Sequence, residues 1–209
     1  MNPLSISTVM AALTIFGVLA AQEREGDRAV PAQAEKDLVD RIVSGWPEKP
    51  KEMARAMIEK YGYPNELTAS SLIWKDNGPW ARSILYRHEV PHAWPQRHTD
   101  FLEQVVGYKV PPEKLDELAE FDGSVYFKRT KGALGAICGK EAMNFLALNL
   151  AHEIITGKRT VQDAREFYAK TAMAFMKGAK SPYTEKLLFE PQKPEQAADP
   201  DRPVDSARP

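Results

Sequence analysis

The chain has 209 residues, with 28 basic and 29 acidic side chains and a net charge of −1. That balance, with Lys and Arg scattered among acids, excludes the electrostatic footprint of a nucleic-acid or anionic-membrane binder. With 43% apolar and 9% aromatic residues, the chain can pack one ordinary core with accessory segments beside it.

Residues 4–21 carry no charge and are nearly all apolar, ending in Val18-Leu19-Ala20-Ala21 before the charged string "QEREGDR". An apolar stretch closing on small residues reads as a signal peptide over 1–21, with cleavage near Ala20 or Ala21. The segment before it lacks Lys and Arg, so an uncleaved membrane anchor and a buried helix stay open. The stretch is marginal for spanning a bilayer, which takes about 20 residues. Export to the periplasm or the extracellular space follows, with membrane contact only through an uncleaved leader. Cys138 is the only cysteine, so no internal disulfide is available and packing alone must hold the fold.

Residues 22–33 read as a flexible linker, and 34–189 as a single folded unit. Residues 190–209, with five prolines and little to bury, read as a disordered tail. In "AEKDLVDRIVSGW", Leu38, Ile42 and Val43 share a helical face that Gly45 can end. In "PEKPKEMARAMIEKYG", Pro50 suits the first turn, Met53, Met57 and Ile58 form a stripe, and Gly62 suits a left-handed cap. Two runs rich in β-branched and aromatic residues flank Asp76-Asn77-Gly78-Pro79, a hairpin signal. A second hairpin is expected in "GSVYFKRTKGALGAIC", turning at Lys131-Gly132.

Between the hairpins, "TDFLEQVVGY" and "PPEKLDELAEF" read as short helices, although "QVVGYKV" also fits a strand. The last elements are helices in "KEAMNFLALNLAHEIITG" and "TVQDAREFYAKTAMAFMKG", joined by a short loop. Thr160 and Asp163 resemble a capping pair at the start of the second. The sum is an α+β domain: a small antiparallel sheet from two β-hairpins packed with helices, including a C-terminal antiparallel helical hairpin.

His88-Glu89-Val90-Pro91-His92 matches H-E-x-x-H, the zinc-binding helix of many metalloproteases. That motif works because residues four apart on a helix share a face, so both imidazoles reach one ion. Pro91 argues against a helix here, at a cost of about 3 kcal/mol or more, and pushes Val90 toward extended backbone. On a strand the two histidines stand about 13 Å apart, from a rise of about 3.3 Å per residue, and no single ion bridges that. A non-helical metal site survives, drawing on His88, His92 and His98 with Asp100 or Glu103.

Gly135 to Glu141, between a strand and a helix, lacks the spacing and the Ser or Thr of a phosphate loop. It reads as a tight strand-to-helix turn with an acid in the first helical turn. Cys138 lies near a helix start, but a thiol nucleophile needs a base, and His152 sits more than three turns down that helix. Asn144, Asn149 and His152, on an otherwise apolar helix, require hydrogen-bond partners if buried.

The leading functional expectation is an exported, non-catalytic binding module for an unknown protein or small-molecule ligand, without nucleic acid and without a required cofactor. Its contact surface is expected at Trp74, Trp80, Tyr86, Arg87, Trp94 and Arg97, because Trp, Tyr and Arg dominate binding hot spots. The alternative is a metal-dependent hydrolase, with His88, His92 and His98 holding a divalent ion and Glu89 or Glu103 as base. A thiol enzyme built on Cys138 is the third class.

Overall fold

A computed structural model describes residues 33–203 of the chain. The expected signal peptide, all but the last residue of the linker and residues 204–209 lie outside the described residues. The domain opens with helices α1 (Lys36–Ser44) and α2 (Glu48–Tyr61). It continues through strands β1 (Glu66–Leu67), β2 (Ser71–Asn77), β3 (Trp80–His92) and β4 (His98–Gly107). A single 3₁₀ turn, Pro112–Lys114, leads into helix α3 (Leu115–Phe121). Strands β5 (Val125–Lys128) and β6 (Ala133–Cys138) follow, then the long helices α4 (Glu141–Ile155) and α5 (Val161–Met176). Two single turns close the chain, α6 (Pro182–Glu185) and α7 (Pro194–Ala197). No helix of the described residues is long and apolar enough to cross a membrane.

The six strands form one antiparallel sheet in the order β1-β2-β3-β4-β6-β5. This is the α+β fold expected from the sequence. Both hairpins turn where expected: Asp76 and Gly78 take positive φ (48° and 65°), and Gly132 takes φ 64°. The largest departure is β4, expected as a short helix with a strand over "QVVGYKV" as the alternative. It is a central strand, paired with β3 on one side and β6 on the other, and Asp100 through Val106 are all buried. A strand covered on both faces shows no period-2 alternation, so "DFLEQVV" gave no clean strand signal.

Register sets which side chains share a face. Leu72, Leu85, Leu102 and Cys138 line up across four strands. Next to them run Trp74, Ser83, Gln104, Ala136 and Val125. Two apolar clusters cover this face. One joins β2–β4 to α1 and α2 through Val39, Val43, Ala54, Met57 and Leu72. The other joins β4–β6 to α3, α4 and α5 through Val106, Leu118, Phe121, Leu134, Leu146 and Tyr168. In α1 the buried pair is Val39 and Val43, and Leu38 is 37% exposed. The stripe is thus turned by one residue from the expected face. In α2, Pro50, Ala54 and Met57 are buried, with Met53 and Ile58 at the margin. Gly62 takes φ 79° and ψ −176°, a positive φ that favours glycine but not a left-handed helical cap.

Helix α5 is capped as expected. Thr160 Oγ1 accepts from the Asp163 backbone N–H at 3.1 Å and donates to the Asp163 carboxylate at 2.8 Å. The polar residues of α4 find partners too, although Asn144 Oδ1 has none among the described residues. Asn144 Nδ2 donates to Leu102 O and Gln104 Oε1, both at 3.0 Å. Asn149 donates to Tyr183 O and Lys186 O and accepts from Leu188 N–H. His152 Nδ1 lies 2.8 Å from Tyr108 Oη.

Composition predicts a disordered tail from residue 190, but the chain from Gln192 to Asp201 is seated on the sheet end. Gln192 N–H donates to Gly107 O at 2.8 Å, and Gln192 Oε1 accepts from Lys109 N–H at 2.6 Å. Ala197 is fully buried, and Arg129 pairs with Asp199 and Asp201. A Cβ at Gly107 would collide with the Gln192 carbonyl, and one at Gly132 with the Ala197 backbone. Backbone bonds and glycine notches hold a segment that offers few apolar side chains, which composition does not register.

Candidate functional site

The opening motif lies on β3, as Pro91 dictates. His88 is exposed, and the register with β4 shifts between Leu85 and Val90. Beyond that irregularity Val90 pairs with Asp100, Pro91 with Thr99, and His92 with His98. His92 and His98 therefore come together across the hairpin, their ring centroids 4.7 Å apart. Asp100, 5% exposed, sits between them. Asp100 Oδ2 lies 3.1 Å from His92 Nδ1, and Oδ1 lies 3.1 Å from His98 Nε2. One donor atom from each of the three residues falls within 4.8 Å of the others. Two of the three expected histidines thus meet, with Asp100 as their carboxylate. His88 takes no part.

The surroundings fix the rings. His98 Nδ1 is 2.8 Å from Gln96 O, and a carbonyl can only accept, so the proton sits on Nδ1 and Nε2 faces Asp100. Ser124 Oγ donates to Asp100 Oδ2 at 2.7 Å and lies 3.2 Å from His92 Nδ1. Asp122, 3% exposed, lies 4.0 Å from His92 Nε2, and burial raises its carboxyl above the ordinary value. Although Asp100 Oδ1 is close to His98 Nε2, the contact is misaligned. The oxygen is buried with no hydrogen-bond partner among the described residues.

Neither carboxylate expected as a base is free. Glu103 lies in the row with Ile73, Ile84 and Ile137, on the opposite sheet face from Leu102. Arg82 Nη2 (3.0 Å), Tyr86 Oη (2.8 Å) and Tyr126 Oη (2.6 Å) all donate to it. Burial, then the bond to Glu103, pushes the Tyr86 phenol up to about 12. Glu89 accepts from Thr99 Oγ1 at 2.6 Å and pairs with Lys49 at 3.3 Å. The Thr99 bond, followed by the Lys49 contacts, holds its carboxyl below the ordinary value despite an opposing burial contribution.

Beside the His–Asp group opens a cavity of about 560 Å³. It lies between α2, the 95–99 loop, the turn from β6 into α4, and α5. Met53, Met143, Met173, Phe175 and Met176 make it apolar, and His98, Cys138 and Gly139 line it as well. Met173 and Met176 are 44% and 72% exposed. Lys49, Arg97 and Lys140 stand on its wall against a single acid, Glu52. Lys140 and Arg97 make no ion pair among the described residues. Gly139 permits the close approach of the turn to β4, because a Cβ there would stand 2.7 Å from Thr99 O.

The expected aromatic contact surface does not exist as one patch. Trp74 (2% exposed) and Trp80 (1%) are core residues, one in each apolar cluster. Trp74 Nε1 donates to Gly62 O and Trp80 Nε1 to Glu141. Trp94 packs on Tyr168 at 4.7 Å with Arg165 over its ring. Tyr86 serves Glu103, and Arg87 is exposed. Of the six, only Arg97 lines the cavity. Sequence reasoning missed helix α5 as a site element and considered the 138–143 turn only for phosphate binding and for the Cys138 thiol. The run "MAFM" held the signal, since Met173 and Met176 are both exposed beyond the buried Ala164, Tyr168 and Ala172.

Cys138 is buried, and desolvation, then the charge of Asp100, pushes its thiol up to about 12. His152 is held by Tyr108 and stacked on Phe189. Burial thus disfavours the Cys138 thiolate, and His152, the base considered from the sequence, is engaged elsewhere. Compared with protein-family models, curated proteins and solved structures, the chain matches none.

Proposed function

We propose that the chain is a non-catalytic binding module for a small amphipathic ligand, with an apolar body and an anionic group. The observation that carries this reading is the open apolar cavity between α2 and α5. Its 560 Å³ falls in the range of small-molecule sites, about 300–1,000 Å³. Methionines suit such a wall, because an unbranched thioether side chain adapts to irregular apolar shapes. Charge selects the ligand's polar end: Arg97 and Lys140, without ion pairs among the described residues, stand on the wall, and Lys49, which pairs with Glu89, adds a third positive charge. The apolar leader read at residues 4–21 supports placing the module outside the cytoplasm.

Calorimetric titration of the full chain with decanoate, decanol and decyltrimethylammonium tests the reading. Decanoate is expected to bind saturably at one per chain, decanol more weakly and the cation weakest. Met173→Glu, which puts a charge in the wall at a position 44% exposed, should abolish decanoate binding while leaving the circular dichroism unchanged. Absence of saturable binding by all three, or preference for the cation, rejects the reading.

A further inference from the structure

We propose that His92, His98 and Asp100 form a binding site for a divalent cation of the zinc class. This goes beyond the ligand cavity and stands without it. The donor set suits the borderline ions: two imidazoles and one carboxylate, with no thiolate and no cage of carbonyl oxygens. Ligand atoms about 2.0–2.1 Å from a tetrahedral ion stand about 3.3 Å from one another. Asp100 stands 3.1 Å from each imidazole, through a different oxygen to each, and one donor atom from each residue lies within 4.8 Å of the others, so binding needs the two rings and the carboxylate to close on a common point.

Two features favour an ion over an ordinary histidine–aspartate pair. The first is His98. Its Nδ1 proton is given to Gln96 O, which leaves the Nε2 lone pair facing a carboxylate oxygen. Two acceptors face each other there, a contact that only a positive charge makes favourable. Such a bond from the far ring nitrogen to a carbonyl is also the usual outer support of a metal-bound histidine.

The second is Asp100 Oδ1. It is buried within a residue 5% exposed, and no hydrogen bond reaches it. Four buried side-chain atoms among the described residues lack a partner, and this is the only carboxylate oxygen of the four. A proton on Nε2 does not repair the deficit, because the contact is misaligned for a hydrogen bond. An ion needs no such alignment along the N–O line, since nitrogen and oxygen each point at the ion instead of at each other. Asp122, buried beside His92, adds a second acid to the neighbourhood. Three protein ligands leave a tetrahedral ion one open position. Partly exposed rings, 21% for His92 and 29% for His98, give solvent access to it.

The test uses the full chain, purified without a histidine tag and stripped with a chelator that is then removed. Zinc affinity is measured by competition with a chromophoric chelator, and coordination geometry from the visible absorption of the cobalt(II) form. One zinc per chain is expected, with the strong visible bands of tetrahedral cobalt. His98→Ala and Asp100→Asn should each weaken zinc by at least about 100-fold, more than the 10–100-fold typical of losing an outer support. His88→Ala should leave affinity unchanged. Zinc should raise the thermal midpoint of the parent and of His88→Ala but not of His98→Ala, a comparison that also shows the variants to be folded. Binding of less than one equivalent, octahedral cobalt alone, or equal losses in His88→Ala and His98→Ala overturns the proposal.

Discussion

Glu141 and Asp100 are both carboxylates carried at element ends on the helix-covered face of one sheet, and their surroundings are opposite. Glu141 is ringed by donors. Tyr61 Oη (2.5 Å), Trp80 Nε1 (2.7 Å) and Gln104 Nε2 (3.1 Å) serve one oxygen, and Lys60 Nζ (2.5 Å) serves the other. Burial alone would raise its carboxyl, but the Lys60, Tyr61 and Trp80 bonds together hold it below the ordinary value. Asp100 receives one hydroxyl and otherwise faces imidazole nitrogens. A buried charge whose oxygens are all occupied serves the fold, whereas one left with an unoccupied oxygen keeps a valence for something else. The same contrast holds for Glu103, whose three donors close it to chemistry.

Removing each carboxylate breaks or sharpens that contrast. Glu141→Ala strands the part-buried donors Trp80 Nε1 and Tyr61 Oη, and should cost about 2–5 kcal/mol in urea unfolding. Asp100→Asn, without added metal, should cost under about 1 kcal/mol, because it removes a buried charge whose Oδ1 has no hydrogen-bond partner among the described residues. If both cost the same, the distinction between a structural and an available carboxylate fails.

The acid limb of stability gives the next effect. Because the folded Glu141 carboxyl lies below its ordinary value of 4.5, its contribution is fully present above that pH. It is lost as pH falls through the lower, folded value. Urea midpoints measured from neutral pH downward should therefore fall in the parent across that window. The fall should be shallower in Glu141→Gln.

Smaller again is Gly132→Ala, which meets the Ala197 backbone at a positive φ. It should cost about 1–3 kcal/mol, with faster proteolysis confined to the segment after residue 189. Uniform proteolysis along the chain would contradict local seating. The smallest effect concerns Cys138, which Asp100 faces from β4. Iodoacetamide at neutral pH should label it far more slowly in the folded chain than in urea, without loss of stability in Cys138→Ala beyond about 1 kcal/mol. Rapid labelling of the folded chain would reopen thiol chemistry.

Local rules carried the sequence reading a long way. The positive-φ turns at Gly78 and Gly132, the Thr160 cap, and the need of Asn144 and Asn149 for partners were all legible, because each depends on neighbours close in sequence or on burial alone. The β4 strand was legible only as an alternative over its second half, since a segment buried on both faces has no alternation to read. Pro91 was enough to reject a helical zinc motif. It could not reveal that a register shift between Leu85 and Val90 brings His92 opposite His98 and leaves His88 outside. Likewise, Trp74 and Trp80 are close in sequence, yet the Asn77-Gly78 turn sends them into different cores.

The seating of the C-terminal segment has a consequence for anyone who shortens the chain. A stop codon after Phe189 looks harmless by composition. It would delete the Gln192 carbonyl and amide that cover Gly107, the Ala197 that fills the notch at Gly132, and both acids paired with Arg129. The exposed ends of β4 and of the β5–β6 turn would then present unpaired backbone, the template on which strands of separate molecules join. A cut placed after Pro203 keeps the lock, and solubility of the two truncated products would report what those fourteen residues, 190–203, are worth.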